Sequence, residues 1–288
     1  MKTITTTRGY LEQSDCLEFL PKLRSNSVDC VFADPPFNLD KRYGPTRTDS
    51  RPEQEYLDWS RRWLRECIRI LKPGGSLFVY NLPSWQIQLG AWLMSQKSLS
   101  FRHWIGVSMK NSPPRPNRLY PAHYGLLYFT KGTPAVFEKD RVRVQQPKCR
   151  ECDTPLADWG GYKDKLHPAG VNLSDIWTDT APVRHKRYKV RGKGVNEIDP
   201  KIPERAILLT TNPGGIVLDP FGGGGTTYRM AELHGRYWIG CEIEDCEHIS
   251  VGLRTVGATV SDKRPTPVAK VFKKRRTKAA LDLLAGDD

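Results

Sequence analysis

The apolar run Val28 to Ala33 stops abruptly at Asp34-Pro35-Pro36-Phe37-Asn38. Two prolines end ladder pairing and fix the backbone, so the run reads as a buried strand with a rigid turn at its carboxyl end. An acid, two prolines, an aromatic and an amide make a poor structural element there and a good site. The Asp34 carboxylate and the neighbouring carbonyls become stationary acceptors beside an aromatic face, the groups needed to hold a planar base by an exocyclic amine.

A second strand ends the same way far downstream. The run Gly215-Ile216-Val217-Leu218 leads into Asp219-Pro220-Phe221-Gly222-Gly223-Gly224-Gly225-Thr226-Thr227, which reads as strand, glycine-rich turn and a helix starting near Thr226. Glycines let a ligand approach the backbone closely, and amides at a helix start favour a negative or electron-rich group. The spacing is not that of the dinucleotide fingerprint, and no phosphate-loop lysine follows. Glu242 ends the next apolar run, Tyr237-Trp238-Ile239-Gly240-Cys241, 23 residues after Asp219, the position from which an acid takes ribose hydroxyls in a Rossmann-like unit. A nucleotide-like cofactor fits this order of strand, turn, helix, strand and acid.

Between the two motifs, short apolar runs alternate with helical patterns: amphipathic Tyr56–Leu71, the strand Ser76–Tyr80, a helix over Trp85–Met94, then runs at Trp104–Met109 and Leu126–Phe129. Such alternation predicts an α/β fold, a mostly parallel sheet with helices on both faces. The rhythm lapses over 132–194, where Pro, Gly, Cys and basic residues gather, and resumes with a helix over Pro203–Leu209. The chain therefore divides into a first core half at 1–131, an insert at 132–194, a second core half at 195–260 and a basic, flexible tail at 261–288. The polar loop from Leu39 to Glu55, with Arg42, Arg47 and Arg51, directly follows the first motif and reads as functional.

The two motifs resemble the catalytic and S-adenosylmethionine-binding motifs of DNA amino-methyltransferases, and their order, catalytic first, resembles that family's β group. Ser14-Asp15-Cys16-Leu17, Leu71-Lys72-Pro73-Gly74-Gly75-Ser76 and Arg236 to Glu242 are similar to further family stretches. The resemblance implies a Rossmann-like methyltransferase fold with an inserted target-recognition region, S-adenosylmethionine as cofactor and duplex DNA as partner. It assigns Asp34, Pro35, Pro36 and Phe37 to catalysis on a flipped-out base. It assigns Asp219, Phe221, Gly222, Gly223, Gly225 and Thr226 to the cofactor, with Glu242 on the ribose and Asp15 at the adenine edge. Relatives acting on cytosine more often carry Ser in place of Asp34, so the implied target is the six-amino group of adenine, with the four-amino group of cytosine as alternative. Members of the group often dimerise, and a separately encoded cognate restriction endonuclease is a further partner the resemblance allows. A relic core that only binds DNA, or an RNA or protein methyltransferase on the same fold, is the competing reading. Many relatives carry His-Pro-Thr-Gln-Lys-Pro before the cofactor motif, where this chain reads Asn196-Glu197-Ile198-Asp199-Pro200-Lys201. No residue is assigned to the cofactor's carboxylate on that account.

Charge is distributed to match. Of a net +13, residues 101–193 carry +10 and residues 263–278 add eight basic side chains and no acid, which leaves the remainder negative. Positive charge outside the core suits neutralisation of phosphates. Within the insert, Arg184, Lys186, Arg187 and Lys189 interleave with His185 and Tyr188, a pattern suited to gripping a nucleic acid backbone. Seven scattered cysteines predict reduced thiols. Cys149 and Cys152 make one Cys-x-x-Cys pair without a second, so no metal is assigned. No run of eighteen apolar residues and no signal-like amino terminus occur, and the expectation is a soluble, cytoplasmic protein.

Overall fold

The structure is a computed structural model that describes residues 2–39, 42–43, 47–109, 116–117, 119–145, 148–149, 151–154, 167–180 and 197–273. Among these, the buried runs form the middle of one sheet: β2 (Gly9–Gln13), β3 (Val28–Ala33), β6 (Leu71–Asn81), β10 (Ile216–Asp219) and β11 (Tyr237–Glu242). Their spatial order is β2-β11-β10-β3-β6, all parallel. Beyond β6 lie β8 (His123–Thr130), antiparallel to it, then β7 (Ser100–Ser108) and the two-residue β9 (Ile176–Trp177); β1 (Thr3–Thr5) closes the other edge against β2. The expected mostly parallel sheet is present, with antiparallel pairing at its margins.

Side chains alternate along each central strand, so the sheet divides its apolar residues between two layers. One layer takes Val31, Ala33, Leu77, Val79, Leu218 and Ile239 and is covered by α1 (Cys16–Phe19), α2 (Glu53–Ile70), α3 (Pro83–Met94) and α7 (Thr266–Ala269). The other takes Cys30, Phe32, Phe78, Tyr80, Val217 and Trp238 under α4 (Lys201–Thr210), α5 (Thr226–Leu233) and α6 (Glu247–Thr255). Burial on both faces is why these strands read as continuous apolar runs. Helix α2 buries Tyr56, Leu57, Ser60, Trp63, Leu64, Cys67 and Ile70 at three- and four-residue spacing, with Glu53 and Glu55 in its first turn and Arg69 in its last.

The chain leaves β3 through α2 for β6 on one side, and leaves β10 through α5 for β11 on the other. The carboxyl ends of β3 and β10 therefore form the topological switch point of the sheet, where open α/β sheets bind ligands. The Asp29 carboxylate reinforces this seam by accepting from the Ile216 amide at 2.8 Å while pairing with Lys72 at 2.8 Å.

The described parts of 132–194 are tied to the core. Strand β9 pairs with β7, and Trp177 lies buried beneath the Arg205 guanidinium, 5.2 Å from the ring centroid. Arg205 holds Asp179 through two hydrogen bonds of 2.8 and 2.7 Å, which draws that carboxyl down to about 2. Arg141 donates to the Thr211 carbonyl and the Asn212 side chain at 2.9 Å each. Charge composition marked this region as separate, but its aromatic and arginine anchors pack onto α4. No helix among the described residues is long and apolar enough to cross a membrane.

The tail departs from the expectation of flexibility over 261–273. Val268 and Val271 are buried, Phe272 meets Tyr10 and Phe19 edge-on at 5.5 and 6.2 Å, and Arg264 lies 3.8 Å above the Tyr10 ring. Basic residues dominated the reading of this stretch and hid three apolar anchors. Burying a valine side chain is worth about 1.5–3 kcal/mol. Truncation after Asp262 is therefore expected to lower stability by about 3 kcal/mol or more, read as a lower midpoint in urea unfolding. An unchanged midpoint would show that the segment contributes nothing to the core.

Candidate active site

Parallel pairing of Cys30 with Val217 and Val31 with Leu218 delivers both motifs to the same edge of the sheet. Asp34 follows β3 and Asp219 ends β10, close enough to act on each other. Burial pushes the Asp219 carboxyl well above the ordinary carboxylate range, and the charges of Asp34 and Glu242 push it the same way. Hydrogen bonds from the Thr227 side chain and the Phe221 amide, the latter 2.9 Å, offset this only in part.

The catalytic-type turn is held from behind. The Tyr56 hydroxyl donates to the Pro36 carbonyl at 2.8 Å, and the Trp85 indole N–H donates to the Phe37 carbonyl at 2.9 Å. Asn38 adopts a left-handed backbone, φ 58°, and its side chain pairs with the Arg51 backbone in both directions, 2.9 and 2.7 Å. This closes the base of the arginine-rich loop, which carries a small antiparallel hairpin of β4 (Arg42–Tyr43) and β5 (Arg47–Thr48). The Phe37 ring sits with Tyr80 and Tyr124, centroids 5.9 and 5.7 Å away, and those two are 5.3 Å from each other. Three aromatic rings thus stand where one was expected.

The glycine-rich turn is packed beneath and open at one point. A Cβ on Gly224 would lie 2.5 Å from Glu197 Cγ, and one on Gly225 would lie 2.7 Å from Ile249. Gly223, with φ 47°, would meet nothing nearer than 3.8 Å. That open side is a cradle a side chain would fill, which fits a ligand laid against the backbone. Glu242 accepts from the Gly223 amide at 2.6 Å and the Glu244 amide at 3.0 Å; burial raises its carboxyl and these bonds oppose the rise. Asp15 caps α1 by accepting from Leu17 N at 2.7 Å, and the adjacent Ser14 amide donates to the Glu242 carbonyl, so Asp15 lies on this edge as well. Phe221 packs edge-on to Trp63 at 5.0 Å and near Trp59 at 5.7 Å, bridging the turn to α2.

The structure thus brings together Asp34, Pro35, Pro36, Phe37, Asp15, Asp219, Phe221, the glycines, Thr226 and Glu242. Arg184, Lys186, Arg187 and Lys189 lie outside the described residues. Several neighbours escaped sequence reasoning. Tyr56 and Trp85 open helical patterns, and Tyr80 and Tyr124 sit in strands. The His248 Nε2–H donates to the Gly223 carbonyl at 2.7 Å, and Arg229 makes a paired contact with Glu197 at 3.2 Å beside Gly224. Glu197 stands in the stretch that replaces His-Pro-Thr-Gln-Lys-Pro, and an acid three residues from a proline turn carried no signal of its own.

A family model described as DNA methylase, of the N6/N4 methyltransferase type, matches residues 28–250. The chain belongs to that family. It is 46% identical over 271 residues to the type II methyltransferase M.BamHI of Bacillus amyloliquefaciens, an alignment covering 94% of this chain and 62% of the length of that relative. Among solved structures, the PvuII DNA methyltransferase (cytosine-N4-specific) shares the fold with a TM-score of 0.61 at 19% identity, over 99% of this chain and 94% of the other. The Thermus thermophilus protein TTHA0409, solved with S-adenosyl-L-methionine, does so with a TM-score of 0.58 at 20% identity, over 89% and 98%.

Gly223→Val is expected to leave the protein folded, since a Cβ there meets nothing nearer than 3.8 Å and the positive φ costs about 1–2 kcal/mol. Binding of S-adenosylmethionine should be lost in calorimetric titration. Wild-type affinity in the folded variant would put the cofactor elsewhere.

Proposed function

We propose that this protein transfers a methyl group from S-adenosylmethionine to the exocyclic amine of a base flipped out of duplex DNA at a specific site, with the six-amino group of adenine as target. The observation that carries the reading is the meeting of Asp34-Pro35-Pro36-Phe37 with the open glycine turn at the switch point. The residues present suit the cofactor: the turn Gly222–Gly225, Thr226 at the start of α5, Asp219, Phe221, Glu242 for the ribose and Asp15 for the adenine edge. Burial first, and the charges of Asp34 and Glu242 after it, raise the Asp219 carboxyl, and a cationic ligand would relieve the charge contribution. When bound, S-adenosylmethionine supplies an electrophilic methyl group on a sulfonium centre.

An exocyclic amine is a weak nucleophile because its lone pair is delocalised into the ring. Asp34 accepts one amine hydrogen. The Pro35 or the Pro36 carbonyl accepts the other; the Pro36 oxygen, held by Tyr56 at 2.8 Å, keeps a second lone pair. Two fixed acceptors draw the nitrogen toward tetrahedral geometry and aim its lone pair, a gain from positioning and electrostatics. A base inside a duplex is out of reach, so it must be flipped, and Phe37, Tyr80 and Tyr124 offer the aromatic surface that receives it. Cytosine N4 is the second reading, because these walls meet ring faces and the two acceptors fit either amine.

Methylated DNA digested to nucleosides and separated by chromatography distinguishes N6-methyladenine from N4-methylcytosine, and absence of both would overturn the assignment. Asp34→Ala is expected to slow methylation on the order of a hundredfold or more while leaving S-adenosylmethionine affinity within a few-fold. Near-normal turnover would remove Asp34 from catalysis.

Arg184, Lys186, Arg187 and Lys189 are proposed to contact DNA phosphates. Replacing all four with Ala should weaken binding to every sequence alike and flatten the salt dependence by about one unit of log–log slope for each phosphate left unneutralised. Unchanged slope and affinity would place the cluster in solvent.

A further inference from the structure

The Asp34-Pro35-Pro36-Phe37 turn is only half constrained by its own covalent structure. Proline rings fix φ at Pro35 and Pro36, and each following proline restricts ψ at Asp34 and Pro35. What remains free is ψ at Pro36 and both backbone torsions at Phe37, and rotation there swings a carbonyl or the aromatic ring. Those are the two carbonyls that receive buried donors, Tyr56 O–H at 2.8 Å and Trp85 N–H at 2.9 Å. The two donors also pack on each other, with ring centroids 4.5 Å apart.

The direction of the Tyr56 proton is itself set. The Asn81 side-chain oxygen accepts from the Leu82 amide at 2.8 Å, which turns its NH₂ group toward the Tyr56 oxygen, 2.9 Å away. The opposite amide orientation would face a donor with a donor. With Asn81 donating into it, the phenol oxygen has one proton left to give, and Pro36 is where it goes. Asn81 is fully buried and Tyr56 nearly so, and burial pushes the phenol's ionisation up, so the hydroxyl keeps that proton.

We propose that Tyr56, oriented by Asn81, is a positioning residue for methyl transfer: it fixes the Pro36 peptide and, with Trp85, sets the Phe37 ring and the turn that carries Asp34. This rests on the methyltransferase reading above. Tyr56 touches no substrate in it. Contacts from Tyr56 to Trp59, 5.7 Å, and from Trp59 to Phe221, 5.7 Å, tie the same clamp to the cofactor turn.

Tyr56→Phe keeps the ring and its packing and removes only the hydroxyl. In single-turnover methylation at saturating S-adenosylmethionine and DNA, the rate is expected to fall roughly ten- to a hundredfold, the effect of leaving one buried carbonyl unheld, with KM for both substrates changed less than about threefold. Asn81→Asp should reproduce the loss with the tyrosine intact, because a carboxylate accepts the phenol proton and draws it from Pro36. A wild-type rate for folded Tyr56→Phe, or a loss confined to melting temperature with the rate intact, overturns the proposal. Wild-type rate in folded Asn81→Asp overturns the role given to Asn81. The wild-type protein assayed alongside separates the two readings: if it transfers no methyl group, the functional assignment fails first.

Discussion

Everything in this molecule that bears on chemistry depends on one short seam, the parallel pairing of β3 with β10. Two register pairs, Cys30 with Val217 and Val31 with Leu218, join chain segments that lie far apart in sequence. A slip of one residue would turn every side chain of either strand to the opposite layer, and both layers are apolar and filled, so the seam has little freedom to shift. Asp29 adds a polar check on the same register, since its carboxylate reaches the Ile216 amide only in this alignment. The two motifs need no direct bond to meet. They meet because the strands beneath them do.

Above the seam the work is divided between covalent and non-covalent constraint. The motifs supply prolines, which restrict torsions locally, and glycines, which leave room. Helices α2 and α3 supply what a motif cannot, hydrogen-bond donors placed from outside. The cofactor-type turn shows the same division: glycines open its backbone at Gly223, while Glu242, His248 and the Glu197–Arg229 pair hold it from three directions. Asn38 extends the logic to the basic loop, whose ends it joins with two side-chain bonds.

The central strands, their mostly parallel arrangement and the residues of both motifs were legible because each rests on local pattern. A strand buried on both faces is a continuous apolar run, and a site at its carboxyl end interrupts that run with residues no strand would choose. Tyr56, Asn81 and Trp85 were not legible for the converse reason. Tyr56 and Trp85 fit apolar helical patterns and Asn81 merely ends a strand, and their second role exists only once α2, β6 and α3 are packed together. The docking of 261–273 was obscured differently: charge dominates the composition of that stretch, while Val268, Val271 and Phe272 do the anchoring. The insert at 132–194 stood out by composition alone, which says nothing of how Trp177, Arg205 and Asp179 lash part of it to α4.

The segment at Thr5–Thr7 runs beside the segment at Thr259–Ser261: the Thr7 amide donates to the Thr259 carbonyl, and the Ser261 amide to the Thr5 carbonyl. The path of the backbone is thus almost a closed ring. Cutting such a ring at a surface loop and joining it across this contact would reverse which motif comes first without moving an atom of either. The chemistry at the switch point is indifferent to which motif comes first along the chain.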